Sequence, residues 1–229
     1  MKIRSMKRST RTNLITYLGV IIAFVATVIL RDSGGLSRSL TGQLVPICCY
    51  MSMAVFLNLT VGILGELSLG HAGFMSVGAF SGVIAAMSLQ SAIPSDALRL
   101  AVAMIVGAAV AAVAGVVIGT PVLRLRGDYL AIVTLAFGEI IKELVNCLLV
   151  GWDSRGLHVA LNLTGDKSIA DLGLETEGIA IIKGAQGATS TATISTFTAG
   201  FVLVLITLFV VLNLKDSRAG RAIMALRDN

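Results

Sequence analysis

Long apolar runs separated by short polar breaks dominate the chain, and their lengths set its architecture. A hydrocarbon core of about 30 Å takes roughly 20 helical residues to cross. Six runs approach that length: residues 14–30, 41–63, 67–89, 98–123, 129–150 and 197–214. The first follows Lys2, Arg4, Lys7, Arg8 and Arg11 and could be mistaken for a secretory signal. It is longer than a typical signal core, and no small-x-small cleavage site precedes Arg31 and Asp32, so a retained anchor is expected. The second and third runs are separated only by the glycine-rich junction around Gly62, Gly65 and Glu66, where broken helix at membrane depth is possible. Pro94 and Asp96 mark a loop before the fourth run.

The basic residues give an orientation that tests the span count. With a cytoplasmic N-terminus, six crossings place residues 1–13, 63–66, 124–128 and 215–229 inside. Those segments hold eleven of the eighteen Lys and Arg, including Arg124, Arg126, Lys215, Arg218, Arg221 and Arg227. Short basic loops stay on the cytoplasmic side, so six spans with both termini inside is self-consistent. The expected fold is therefore an all-α polytopic transmembrane helix bundle of about six spans. A single transmembrane domain over 1–229 is expected, with an external loop at 151–196.

Composition agrees with that class. Mean hydropathy is +0.89 and charged residues make up 14%, where soluble domains carry about a quarter. The net charge of +5 arises from clusters at the ends of apolar runs, which points to membrane orientation and away from nucleic acid. Cys48, Cys49 and Cys147 lack the spacing of a zinc site or redox pair and read as small apolar residues. The loop at 151–196 contains Asp153, Asp166, Asp171, Glu175 and Glu177 against three bases, and a binding or lid role is as consistent with it as a tolerated insertion. Trp152 is expected at the interface where the fifth run leaves the bilayer.

Candidate chemistry concentrates in two places. The stretch from Gly65 to Phe80 holds Glu66, Ser68, Gly70, His71 and Gly73 within an apolar context. Ionisable groups in a membrane usually face a bundle interior or a water-filled cavity, so these residues are candidates for the wall of a translocation pathway. Glu139 falls about 15 Å along the fifth run, near mid-membrane, and Lys142 lies within reach of it. An ion pair that fixes packing and a substrate contact both fit that pattern. Gly78 with Gly82, and Gly115 with Gly119, are small-xxx-small pairs suited to close helix packing. No phosphate-binding loop of the G-x-x-x-x-G-K-[ST] form is present, and neither a metal site nor a cofactor is expected in this chain.

Three ordered stretches carry a family resemblance. They are Asn58 to Phe74, Gly127-Asp128-Tyr129-Leu130-Ala131 continuing to Phe137-Gly138-Glu139, and Gly220-Arg221-Ala222 with Ala225-Leu226-Arg227-Asp228-Asn229. The chain resembles the branched-chain amino acid ABC transporter permeases, in particular the LivM type. The resemblance implies a membrane subunit that does not itself hydrolyse ATP. It implies a second, LivH-like permease, two cytoplasmic ATPase subunits and an external substrate-binding protein in the plasma (inner) membrane. It also implies ATPase coupling through Gly220, Arg221, Ala225, Arg227 and Asp228. The family's chains continue into further spans beyond that region, so a fragment, a misread frame or a shortened subunit is expected. The alternatives are a permease for urea, short amides or another small solute, a passive channel or secondary carrier, and a scaffold without transport.

Overall fold

The computed structural model describes residues 8–227 apart from 123, 126, 164, 167, 176, 177 and 190. Among the described residues, seven α-helices and one small sheet follow in chain order: α1 (Arg8–Asp32), α2 (Arg38–Asn58), α3 (His71–Ser88), α4 (Asp96–Val122), α5 (Asp128–Asn146), β1 (Leu148–Asp153), β2 (Gly156–Leu161), β3 (Ile179–Lys183), α6 (Phe197–Asp216) and α7 (Arg218–Arg227). A π-helical segment, Leu59–Leu64, extends α2. Helices occupy all six expected places. Five stretches among the described residues are long and apolar enough to cross a membrane: Thr12–Asp32, Arg38–Ile63, His71–Ser88, Asp96–Val122 and Phe197–Asp216. The helix α5 is not among them, because its 19 residues include Glu139, Lys142 and Glu143.

The chain divides into two compact units, Met1–Gly65 with Ser195–Asn229, and Glu66–Ile194. In the first, α6 is the central element. Thr196 caps it by accepting from the Ala199 N–H, leaving the apolar residues that follow free to pack. Gly200 lets Cys48 of α2 approach so closely that a Cβ there would stand 3.0 Å from the Cys48 Cβ. Cys48 is thereby buried with Val204 and Leu208. The anchor α1 stacks Phe24 on Phe197 and Phe201 of α6, with ring centroids 5.0 and 3.8 Å apart.

The second unit is built on α3. One side meets α4 through Gly78 and Gly82 against Ala103, Gly107 and Ala111. Gly115 and Gly119, the other expected packing pair, have open space around them within the chain. Toward its end α3 supplies Phe80, Val83, Ile84 and Met87 to a cluster with buried Val150, Ile181 and Ile182 of the sheet.

The sheet is antiparallel with strand order β2-β1-β3. It changes one expectation: the fifth run does not stay helical to residue 150, since α5 ends at Asn146 and β1 starts at Leu148. β-branched and large apolar residues there fill a sheet core more effectively than a further helical turn would. Trp152, expected as an interfacial anchor, lies in β1 and packs on the Val150 cluster.

Asp153 holds the β1–β2 hairpin together. Its side chain is only 1% exposed, and it accepts from the Arg155 N–H at 2.8 Å and pairs with His158 Nε2 at 3.0 Å. Arg155 in turn reaches Glu175 at 3.0 Å. Burial alone would push the Asp153 carboxyl up, but hydrogen bonds from Arg155, Glu175 and His158 outweigh it and hold the group below its ordinary value. A depressed carboxyl contributes stability that is complete above its unfolded value, about 3.9, and is lost as pH falls through the folded value. The protection factors of the β1–β3 amides, with the intrinsic pH dependence of exchange divided out, should therefore be flat from neutrality to about pH 4 and fall below it. Asp153→Asn should remove that acid limb and speed exchange already at pH 7; an unchanged profile would show that the carboxylate does not hold the hairpin.

Candidate translocation site

Between the π-helical segment and α3 the backbone unwinds. Gly65 sits at φ 77°, where a side chain would be strained, and Glu66 to Leu69 run without regular structure before α3 starts at His71. Gly62 leaves the space occupied by the Asn58 amide, whose Oδ1 lies 2.6 Å from where a Cβ would sit. Broken helix of this kind is tolerated at membrane depth where it is enclosed by protein or lines a water-filled cavity.

The unwound stretch is tied to α5. The buried Thr134 Oγ1 accepts from the Leu69 N–H at 3.0 Å and donates to the Ala131 carbonyl at 3.0 Å. A Cβ on Gly70 would come within 2.9 Å of the Thr134 carbonyl oxygen, and one on Gly73 within 3.1 Å of the Gly138 Cα. These two glycines therefore serve close backbone approach. His71 turns its Nδ1 to the Ser68 carbonyl at 3.3 Å, a local contact that holds the first turn of α3. Glu66 is half-buried in the unwound stretch.

Where α3 and α5 diverge they enclose, with the turn around Gly184 to Gly187, a cavity of about 370 Å³. Its walls are Leu69, Ala72, Gly73, Phe80, Leu135, Gly138 and Val145, and its polar groups include Ser76, Asn146, Glu139 and Lys142. The volume lies within the range of roughly 300–1,000 Å³ typical of small-molecule sites. Lys142 Nζ donates to Glu139 Oε2 at 2.9 Å, and the two side chains are 61% and 60% exposed. The pairing that the spacing suggested is present, on an open wall and not within a packed core. Of the expected pathway residues, Gly73 and Glu139 line this cavity, while Gly70 holds the crossing beside it.

Within the Gly65–Phe80 stretch expected as pathway wall the sequence reading did not single out Ser76 and Phe80, and it missed Asn146 and the turn at Gly184, Ala185 and Gly187. Ser76 and Phe80 follow Gly73 by one and two turns on the same helix face, a spacing that could have flagged them. The turn comes from the loop, and no local pattern ties it to α3.

At the other end, α7 is amphipathic and contacts α6 and the π-helical segment. Gly220 is buried against the Leu214 and Lys215 carbonyls, and the Arg221 guanidinium donates to the Asp216 carbonyl at 3.2 Å. Ala225 lies exposed on α7, Arg227 ends it, and Asp228 lies outside the described residues.

A sequence profile for branched-chain amino acid transport system permease components matches residues 39–229, from the start of α2 onward. The chain belongs to this permease family. Two curated relatives, each named as the high-affinity branched-chain amino acid transport system permease protein LivM, come from Salmonella typhimurium and Escherichia coli. Each is 32% identical over 190 residues, covering 79% of this chain. The chain spans 42% of the length of these relatives. No solved structure matches it. Family members are transport components and not enzymes, and the apolar helices make this a multi-pass membrane protein.

Proposed function

We propose that this chain is a permease subunit of an ATP-driven importer for branched-chain or closely related apolar amino acids, in the plasma (inner) membrane. The observation that carries the reading is the family match across residues 39–229, which takes in both the cavity and α7. Substrate passes along the face lined by Gly73 and Glu139, with Glu66, Ser68, Gly70 and His71 forming the unwound entrance beside it. Two ATPase subunits dock at α7 through Gly220, Arg221, Ala225, Arg227 and Asp228, while a second, LivH-like permease completes the membrane core. An external binding protein delivers substrate, and no nucleic acid or resident cofactor takes part.

In this reading α5 also crosses the bilayer, as the fifth of six spans, with its charges turned to the cavity and away from lipid. Both termini then lie in the cytoplasm and the sheet outside. Reporter fusions after Arg11 and Arg126 should give a cytoplasmic signal and one near Asp171 an external signal. A cytoplasmic signal at Asp171 would remove the six-span arrangement. The functional test is uptake into vesicles: with the partner permease, ATPases and binding protein present, leucine should accumulate only with ATP. Downhill equilibration of leucine by this chain alone would instead indicate a channel or carrier.

A further inference from the structure

Glu139 and Lys142 are an unusual wall for an apolar cavity. Opposite charges three residues apart on an exposed helix face gain little from pairing in water. In a membrane they must be kept from lipid, so they belong on a face that a polar guest or water can reach. Each is the other's hydrogen-bond partner at 2.9 Å, and more than half of each side chain is accessible from the cavity side or beyond it. Among the described residues, neither group hydrogen-bonds to a third. The rest of the wall contributes apolar surface from Leu69, Phe80, Leu135 and Val145. Gly73 and Gly138 line it where the two helix backbones come close.

A guest that fits both halves carries one positive and one negative group on the same carbon and an apolar side chain. We propose that the Glu139–Lys142 pair opens to receive a zwitterionic apolar amino acid, Glu139 taking the ammonium and Lys142 the carboxylate. This rests on the transport reading above and adds to it the atoms that read the substrate. One ion pair becomes two, and net charge in the cavity is unchanged, so no uncompensated charge is buried at any stage. A guest with only one of the two charges leaves a protein charge without its partner and is rejected for that reason. A neutral amide offers an ion to neither residue. Glu143, the next acid on α5, lines a separate cavity of about 330 Å³ that Glu139 also borders.

The test is equilibrium binding of radiolabelled leucine to the full chain in lipid nanodiscs, with isoamylamine, which lacks the carboxylate, and 4-methylpentanoate, which lacks the ammonium, as competitors. Each analogue should compete about ten- to a hundred-fold more weakly than leucine, the scale of one lost charge-assisted hydrogen bond. Lys142→Met should weaken leucine by a similar factor while improving isoamylamine, and Glu139→Gln should do the reverse for 4-methylpentanoate. Because a single uncompensated charge can reduce folded yield, the swap E139K/K142E gives an independent reading: it keeps both charges and should retain leucine binding better than either single variant. Leucine binding unchanged in both single variants, or a swap no better than the singles, would overturn the inference and leave the transport reading standing. A wild-type chain that binds urea or acetamide but not leucine would overturn the branched-chain reading itself, and this inference with it.

Discussion

Gly107→Leu should abolish the folded protein, and even Gly107→Ala should lower its thermal midpoint in detergent. In an ordinary exposed helix, replacing glycine with alanine stabilises by roughly 1 kcal/mol. Here the sign is reversed by geometry, because a Cβ on Gly107 would stand 2.5 Å from the Gly78 carbonyl oxygen and 3.5 Å from the Gly82 Cα. The obstruction is backbone, so no side-chain rotation relieves it, and α3 and α4 must separate. Overpacking of this kind costs typically 1–3 kcal/mol for modest insertions, and a leucine is a large one. Close backbone approach also supplies much of the attraction between helices in lipid, where no hydrophobic force draws them together. Gly115→Leu is the matched control, since that position has open space around it, and it should leave the isolated chain's midpoint unchanged. Both would be followed by size-exclusion fluorescence on heating. A normally folded Gly107→Leu protein would show that the α3–α4 crossing is looser than described.

The same comparison explains which parts of the structure could be read from the chain. Apolar runs are long and have clear ends, so the helices lie close to where their pattern placed them. The run at 98–123 became Asp96–Val122, and 197–214 became Phe197–Asp216. The third run starts four residues late, at His71, because Gly65 and Gly70 interrupt helical backbone in a way that mean apolarity does not register. Gly78 and Gly115 have the same local signature, yet only Gly78 meets a neighbouring backbone within the chain. A small-xxx-small pattern reports that a close approach is permitted, whereas the partner that makes it depends on tertiary arrangement. The strands were missed for a related reason. Leu148 to Val150 continue an apolar helix without a break, and it is pairing with β2 on one side and with β3, more than 30 positions away at Ile182, on the other that makes them a strand. The Glu139–Lys142 pair was legible because it is local. Its open setting was not, since the cavity wall draws on three separate segments.

Gly220→Ala should uncouple transport from ATP while leaving leucine binding by the membrane domain intact. The helix α7 turns off the end of α6 at Ser217, whose hydroxyl donates to the Leu214 carbonyl at 2.6 Å and accepts from the Gly220 N–H at 3.0 Å. This hydroxyl meets one orphan group at each of the two helix ends within one tight corner. It leaves no room at position 220, where a Cβ would collide with the Leu214 carbonyl and stand 2.8 Å from that of Lys215. Alanine must therefore push α7 away from α6, breaking the Ser217 bonds and shifting the contact between α7 and the π-helical segment Leu59–Leu64. In the proposed importer that contact is where movement of the ATPases enters the membrane helices, so its displacement strikes coupling and not the cavity. ATP-driven leucine uptake should fall by about tenfold or more, as expected when a corner worth at least 1.4 kcal/mol is lost, with the leucine dissociation constant unchanged. Ala219→Gly, at an exposed position on the same helix, lowers helix propensity without a clash and should retain most uptake. Equal losses in the two variants would mean that α7 stability alone matters, and a fall in leucine binding for Gly220→Ala would mean that the corner supports the cavity and is not a transmission point.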